Sequence, residues 1–223
     1  MANSIDAQDH GLIPVGARVP RRGNRFSRWL GRGVLRAMGW RIEGEIPDLP
    51  KMIAIGAPHT SNIDGVLALA TLTALGIDAA VMGKHTLFWP PLGGVMRWFG
   101  VFPVDRGGKN GVVAETAATF AARDRMLLVM APEGTRKAAS DWRRGFWLIA
   151  RAADAPILPA AIDYRGKRVV IGAPMRASED FEADMRRALE FYGRYAWPAR
   201  PERLSAPMKA ALGLSDKTPA EPG

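Results

Sequence analysis

The stretch GAPHTSNIDG, residues 56–65, holds His59, one of three histidines in the chain, and Asp64 five positions later. An imidazole takes up a proton near neutral pH, and a carboxylate beside it fixes the tautomer and stabilises the imidazolium. Ser61 and Asp64 also fit S-x-x-D, a capping box in which each side chain satisfies a backbone N–H at a helix start. The cap accounts for Ser61 and Asp64 but leaves His59, two residues ahead of it, unexplained. Two later stretches repeat the layout of an apolar run followed by polar groups. VFPVDRGG (101–108) presents Asp105 and Arg106 before two glycines, and VMAPEGTR (129–136) presents Glu133, Gly134, Thr135 and Arg136. Asp105 with Arg106, and Glu133 with Arg136, read equally well as salt bridges. Guanidinium groups bind phosphate through forked hydrogen bonds, so two of them beside a histidine base describe a site for a phosphorylated alcohol. The chain has no cysteine, which removes thiol nucleophiles and disulfides. Ser61 reads as a cap rather than a nucleophile, and His59, His85, Asp64, Asp105 and Glu133 lack the helical spacing of a metal site.

These groups need strand ends to hold them. Apolar runs at 52–57, 79–83, 101–104, 125–131 and 155–164 alternate with helical patterns at 64–75, 90–99, 110–124 and 143–153. That alternation predicts an α/β fold, and the loops leaving its strands are where reactive groups gather. IDYRGKRVVIG reads as a hairpin turning at Arg165 and Gly166, so the sheet is expected to be mixed and mostly parallel, flanked by helices. A polar helix over 178–195 follows. The chain length of 223 residues suits one domain, and the net charge of +9 predicts an anionic partner: nucleic acid, a phosphorylated molecule or an acidic lipid surface. GVLALATLTALGIDAAVMG (65–83) is interrupted by Gly76 and Asp78 and reads as helix then strand rather than a membrane span.

RFSRWLGRGVLRAMGW (25–40) gathers Arg25, Arg28, Arg32 and Arg36 on one helical face and Phe26, Trp29, Leu30, Val34, Ala37 and Met38 on the other. It reads as an N-terminal amphipathic helix resting on anionic lipid, or as a surface helix with a solvated basic face. The organisation expected is a flexible arm (1–24), this membrane-associating helix (25–40), a catalytic domain (41–197) and a flexible tail (198–223). Phe88, Trp89, Trp98 and Phe99 are expected in the core or lining a tunnel, with membrane contact as the alternative. Arg143, Arg144 and Gly145 are expected on the rim of the site.

HTSNID resembles the H-x-x-x-x-D motif of the glycerolipid acyltransferases, which include the 1-acyl-sn-glycerol-3-phosphate and lysophospholipid acyltransferases. VFPVDR is similar to the second motif of that family, APEGTR to the third and APILPAA to the proline-containing fourth, in the same order, over about residues 40–175. Ala131 stands where an aromatic is common, Lys137 where a serine is usual, and His85 where relatives often carry an acidic residue. The resemblance implies a glycerolipid-acyltransferase-like fold and transfer of an acyl group from a coenzyme A or acyl carrier protein thioester to a lysophospholipid hydroxyl. The acceptor expected is 1-acylglycerol-3-phosphate, with another lyso-lipid such as lyso-ornithine lipid as the alternative. It further implies His59 as general base, Asp64 as its partner, Arg106 and Arg136 on the acceptor phosphate, and Glu133 positioning the acceptor or an arginine. Backbone amides near Gly134 are candidates for the oxyanion, and Gly134 and Thr135 for substrate binding. Lys84, after a strand, reads either as added positive charge or as a solvated surface lysine. Neither a cofactor nor a metal is expected, and the placement implied is peripheral, on the cytoplasmic face of an anionic membrane. A basic nucleic-acid-binding module and a silent membrane scaffold are the remaining readings. No nucleic-acid motif supports the first, and the intact motifs argue against the second.

Overall fold

A computed structural model describes residues 13–84, 89, 93–94, 101–104 and 111–214. In chain order the strands are β1 (Arg41–Gly44), β2 (Lys51–Ala57), β3 (Ala79–Lys84), β4 (Val101–Val104), β5 (Met126–Met130), β6 (Ile157–Asp163) and β7 (Arg168–Ile171). The helices are α1 (Arg25–Met38), α2 (Asn62–Leu75), α3 (Gly111–Ala122), α4 (Gly145–Ala152), α5 (Phe181–Tyr195) and α6 (Ala206–Ala211). The seven strands form one sheet in the order β1-β7-β6-β2-β5-β3-β4. Every pair is parallel except β6 with β7, so the expected mixed, mostly parallel sheet is what forms.

The central strand β2 is buried along most of its length, as an unbroken apolar run in a doubly covered sheet should be. Side chains alternate across the pleat, so Ile53, Ile55 and Ala57 enter one core and Met52 and Ala54 the other. The first core takes residues from α3, α4, α5 and α6, the second from α1 and α2. The hairpin is where the sequence places it. Asp163 Oδ1 accepts from the amides of Arg165 and Gly166, both at 3.0 Å, so the acid at the end of β6 closes its own turn.

Several expectations need correction. β1 was not anticipated, because RIEG places charges on an edge strand; there Glu43 joins Arg41 at 2.6 Å and Arg168 at 2.9 Å. The N-terminal arm is docked from residue 13 onward. Val19 is fully buried, Val15 bridges to Ile46 and Arg21 to Ile77, while residues 1–12 lie outside the described residues. The C-terminal tail is likewise packed as far as Leu214, because Leu204 and Met208 fill the first core and Ala206 N donates to Ala139 O at 2.8 Å. Of the four clustered aromatics only Trp89 is described, and it is exposed rather than in the core. The helix expected at 90–99 also falls outside the described residues, apart from 93–94.

Helix α1 starts with an Asn24–Ser27 capping box and ends at Gly39, whose left-handed φ of 73° lets Trp40 N reach Leu35 O at 2.8 Å. It packs on the core as a surface helix would, with Val34 and Met38 of the apolar face against the second core. Its most buried seam, however, lies between the two faces expected. Ser27, Gly31 and Leu35, four residues apart, are its buried positions. Gly31 faces the backbone of α2 so closely that a Cβ there would lie 2.5 Å from Ala74 N and 2.9 Å from Ala70 O. Sinking this seam leaves Phe26 and Trp29 67% and 65% exposed, stacked with ring centroids 5.8 Å apart. Among the described residues no helix is long and apolar enough to cross a membrane. Gly31→Leu should therefore prise α1 from α2 and lower stability by about 1–3 kcal/mol in urea unfolding. Unchanged stability would mean that the close approach is not required.

Candidate active site

Parallel strands aim their carboxyl ends at one edge of the sheet, and three neighbours meet there: β5, β2 and β6. The register aligns Ile55 with Met130 and Ala57 with Ala161, so the residues just beyond the strand ends face one another. His59 follows β2, Glu133 follows β5 and Tyr164 follows β6. The Ala57–Pro58 peptide bond that leads to His59 is cis.

Asp64 belongs to the first turn of α2, where it both caps the helix and meets the histidine. Its Oδ2 accepts from the amides of Thr60 and Ser61, each at 2.7 Å, and lies 3.4 Å from His59 Nδ1. Ser61 Oγ completes the cap by accepting from Ile63 N at 3.2 Å. Oδ1 accepts the Tyr164 hydroxyl at 2.6 Å. The capping and paired-base interpretations are thus the same geometry: the cap is the device that delivers the carboxylate. Asp64 is 1% exposed, and burial pushes its pKa up, but hydrogen bonds from His59, Tyr164 and Ser61 outweigh burial and hold it below its ordinary value. The His59 side chain is 27% exposed, so the ring has one side toward the carboxylate and part of its surface open.

Glu133 was expected to position the acceptor or an arginine. Its described contacts are instead within the site: Oε2 accepts from His59 N at 2.6 Å and Oε1 from Ser205 Oγ at 3.2 Å. Burial raises its pKa above the usual glutamate range, because those donors compensate only part of the lost hydration. Gly134 has φ of 66°, a conformation favouring glycine, and its amide donates to Ala131 O at 3.1 Å. That N–H is committed to the turn, which removes it from the oxyanion candidates. Thr135 Oγ1 accepts from Lys137 N at 3.2 Å, and Arg136 is exposed. The Arg143 side chain covers Gly134, with Cγ 3.0 Å from where a Cβ would stand. Lys84 closes β3, opposite Val104 of β4, and its side chain is not among those described. Arg106 and His85 lie outside the described residues. No group of three or more acidic or histidine side chains suited to a metal occurs among the described residues.

Three contributors escaped the sequence reading. Tyr164 is one. The second is Ser205, which also accepts from Trp142 Nε1 at 3.1 Å. The third is the C-terminal segment itself, where Arg200 N donates to Thr60 Oγ1 at 3.3 Å and Arg203 Nη1 to Thr60 O at 3.4 Å. Tyr164 stands out only as a polar aromatic ending an apolar strand, and nothing local in the sequence places it beside Asp64.

The lowered pKa of Asp64 has a consequence for stability. A depressed carboxylate stabilises the fold above its ordinary value of 3.8 and loses that contribution as pH falls through the lower folded value. Asp64→Asn lacks the titrating group. Its stability deficit relative to wild type should be full at about pH 6 and shrink progressively toward about pH 3, by urea unfolding at stepped pH. A deficit independent of pH would contradict this account.

With the geometry established, comparison gives it a family. The sequence model described as Acyltransferase matches residues 41–163, more than half of the chain. No curated protein matches the sequence. Among solved structures, the chain is similar to the 1-acyl-sn-glycerophosphate acyltransferase PlsC from Thermotoga maritima, with a TM-score of 0.53 and 15% identity over 76% of this chain and 77% of that one. At that identity the likeness bears on the fold. The matched span holds His59, Asp64 and Glu133, and on this ground the chain belongs to the acyltransferase family.

Proposed function

We propose that this acyltransferase moves a fatty acyl group from an acyl-coenzyme A or acyl carrier protein thioester to the hydroxyl of 1-acylglycerol-3-phosphate, giving phosphatidic acid. The observation that supports it most is the His59 ring, partly open and set against a buried, ionised Asp64 at 3.4 Å. With Nδ1 toward the carboxylate, Nε2 is the nitrogen that takes the acceptor's proton as its oxygen attacks the thioester carbonyl carbon. The tetrahedral intermediate collapses, the C–S bond breaks, and the proton on His59 passes to the departing thiolate. Asp64 stabilises the imidazolium between these steps. Glu133 keeps the His59 backbone in place, and Arg136 with Arg106 supplies charge for the acceptor phosphate. The acceptor named for the Thermotoga maritima enzyme agrees with this choice.

The protein would work as a peripheral protein on the cytoplasmic face of the membrane, where both donors occur. Phe26 and Trp29 enter the acyl boundary while Arg25 and Arg36 contact acidic headgroups. Their exposure on the outer side of α1 supports this placement.

Two measurements test the proposal. Transfer to 1-acylglycerol-3-phosphate, assayed with each donor, should fall by about 10²–10⁴ in His59→Ala with folding preserved. Full activity in that variant would remove His59 as base; activity confined to lyso-ornithine lipid would change the acceptor. In vesicle flotation with anionic phospholipid, a Phe26→Ala/Trp29→Ala variant should lose most of its bound fraction. Equal flotation of variant and wild type would rule out α1 as the contact.

A further inference from the structure

Asp64 Oδ1 has one described hydrogen-bond donor, the Tyr164 hydroxyl at 2.6 Å, which comes from 100 residues along the chain and beyond the span matched by the family. The phenol is aimed by three constraints. Tyr164 N donates to Trp197 O at 3.0 Å, fixing the backbone just past β6. The preceding residue, Asp163, holds the turn through its bonds to Arg165 N and Gly166 N. The ring meets Trp40 edge to face, with centroids 4.9 Å apart and planes at 84°. Trp40 is buried and itself tied to the end of α1 through Leu35 O. Nothing in the strand or its hairpin needs a hydroxyl at this position.

We infer that Tyr164 is a positioning residue for the His59–Asp64 pair, and that Trp40 holds its ring in place. The inference rests on the proposed role of His59 as base. A carboxylate with Oδ2 on two amides can still rotate about that oxygen. The phenol stops the rotation, keeps the pair in plane, and draws negative charge toward Oδ1. The titratable groups facing Asp64 are His59 from the β2–α2 loop, Tyr164 from β6 and, through its charge, Glu133 from the loop after β5. Tyr164 donates to Asp64 as a neutral group throughout, its phenol being held protonated by burial and by the carboxylate itself. It therefore moderates the basicity of Asp64 without supplying a competing proton.

Tyr164→Phe keeps the ring and removes only the oxygen. Asp64 then becomes a stronger base and stabilises the imidazolium more. The acidic limb of the kcat/KM profile should move up by about half a pH unit, and kcat at neutral pH should fall about fivefold with both KM values unchanged. The side-chain carboxyl 13C resonance of Asp64 should titrate at higher pH in the variant, a readout that needs no turnover. Trp40→Phe, which loosens the ring, should shift both in the same direction by less. A carboxyl titration that does not move overturns the inference. So does a moved titration with an unmoved acidic limb, because the bond would then exist without setting the base. Full activity in His59→Ala would instead defeat the reading of the base, and the carboxyl titration would still show whether Tyr164 acts on Asp64.

Discussion

A carboxylate at 1% exposure has exchanged nearly all of its hydration for protein donors, and without them its burial would cost on the order of several kcal/mol. Asp64 replaces that hydration with groups from three places: the Thr60 and Ser61 amides of the loop, the His59 ring, and the Tyr164 hydroxyl. Each donor constrains a different element. The amides set where α2 begins, the histidine sets the exit of β2, and the tyrosine ties the end of β6 to both. Removing any of them would leave a buried charge short of partners, so helix start, strand ends and ring orientation stand or fall together.

Glu133, on the loop after the neighbouring strand β5, shows the opposite balance. It too is buried, at 2% exposure, but its oxygens accept from one amide and one hydroxyl, and Asp64 adds unfavourable negative charge. The result is one carboxylate held below its usual range and its neighbour pushed above it. The difference lies in the donors: those around Asp64 outweigh its burial, and those around Glu133, which accepts from the His59 amide, do not. Two acids that are almost equally buried thus have their pKa values moved in opposite directions by the donors around each.

His59 and Glu133 were legible because each closely follows an apolar run, and in a parallel sheet that position predicts the carboxyl edge; Asp64 was legible from the capping box. Tyr164 was not, since its proximity to Asp64 depends on β6 lying beside β2, a strand order no local pattern carries. β1 was missed because its charges serve Arg168 rather than a core, which erases the apolar alternation. For α1 the pattern was right about the helix and about Val34 and Met38 on the core, but it did not carry the glycine seam at the centre of the contact. A glycine that sequence propensity counts as a weakness is the residue that permits close packing on Ala70 and Ala74.

The C-terminal segment carries the same lesson into the limits of the domain. Residues 198–223 read as a flexible tail, yet Leu204 and Met208 are as buried as the central strand. Ser205 sits between Trp142 and Glu133, and Arg200 and Arg203 both bond to Thr60, the residue after His59. Tyr192 OH, one helix earlier, bonds to Ile55 O at 2.6 Å on the strand that leads to the histidine. The family match ends at residue 163, but the physical unit that holds the histidine loop runs some fifty residues further. The matched span carries His59, Asp64 and Glu133, and a segment outside it bonds to the loop and the glutamate among them. Because donors to Thr60 and to Glu133 come from that segment, the C-terminal packing holds the His59 loop together with the sheet.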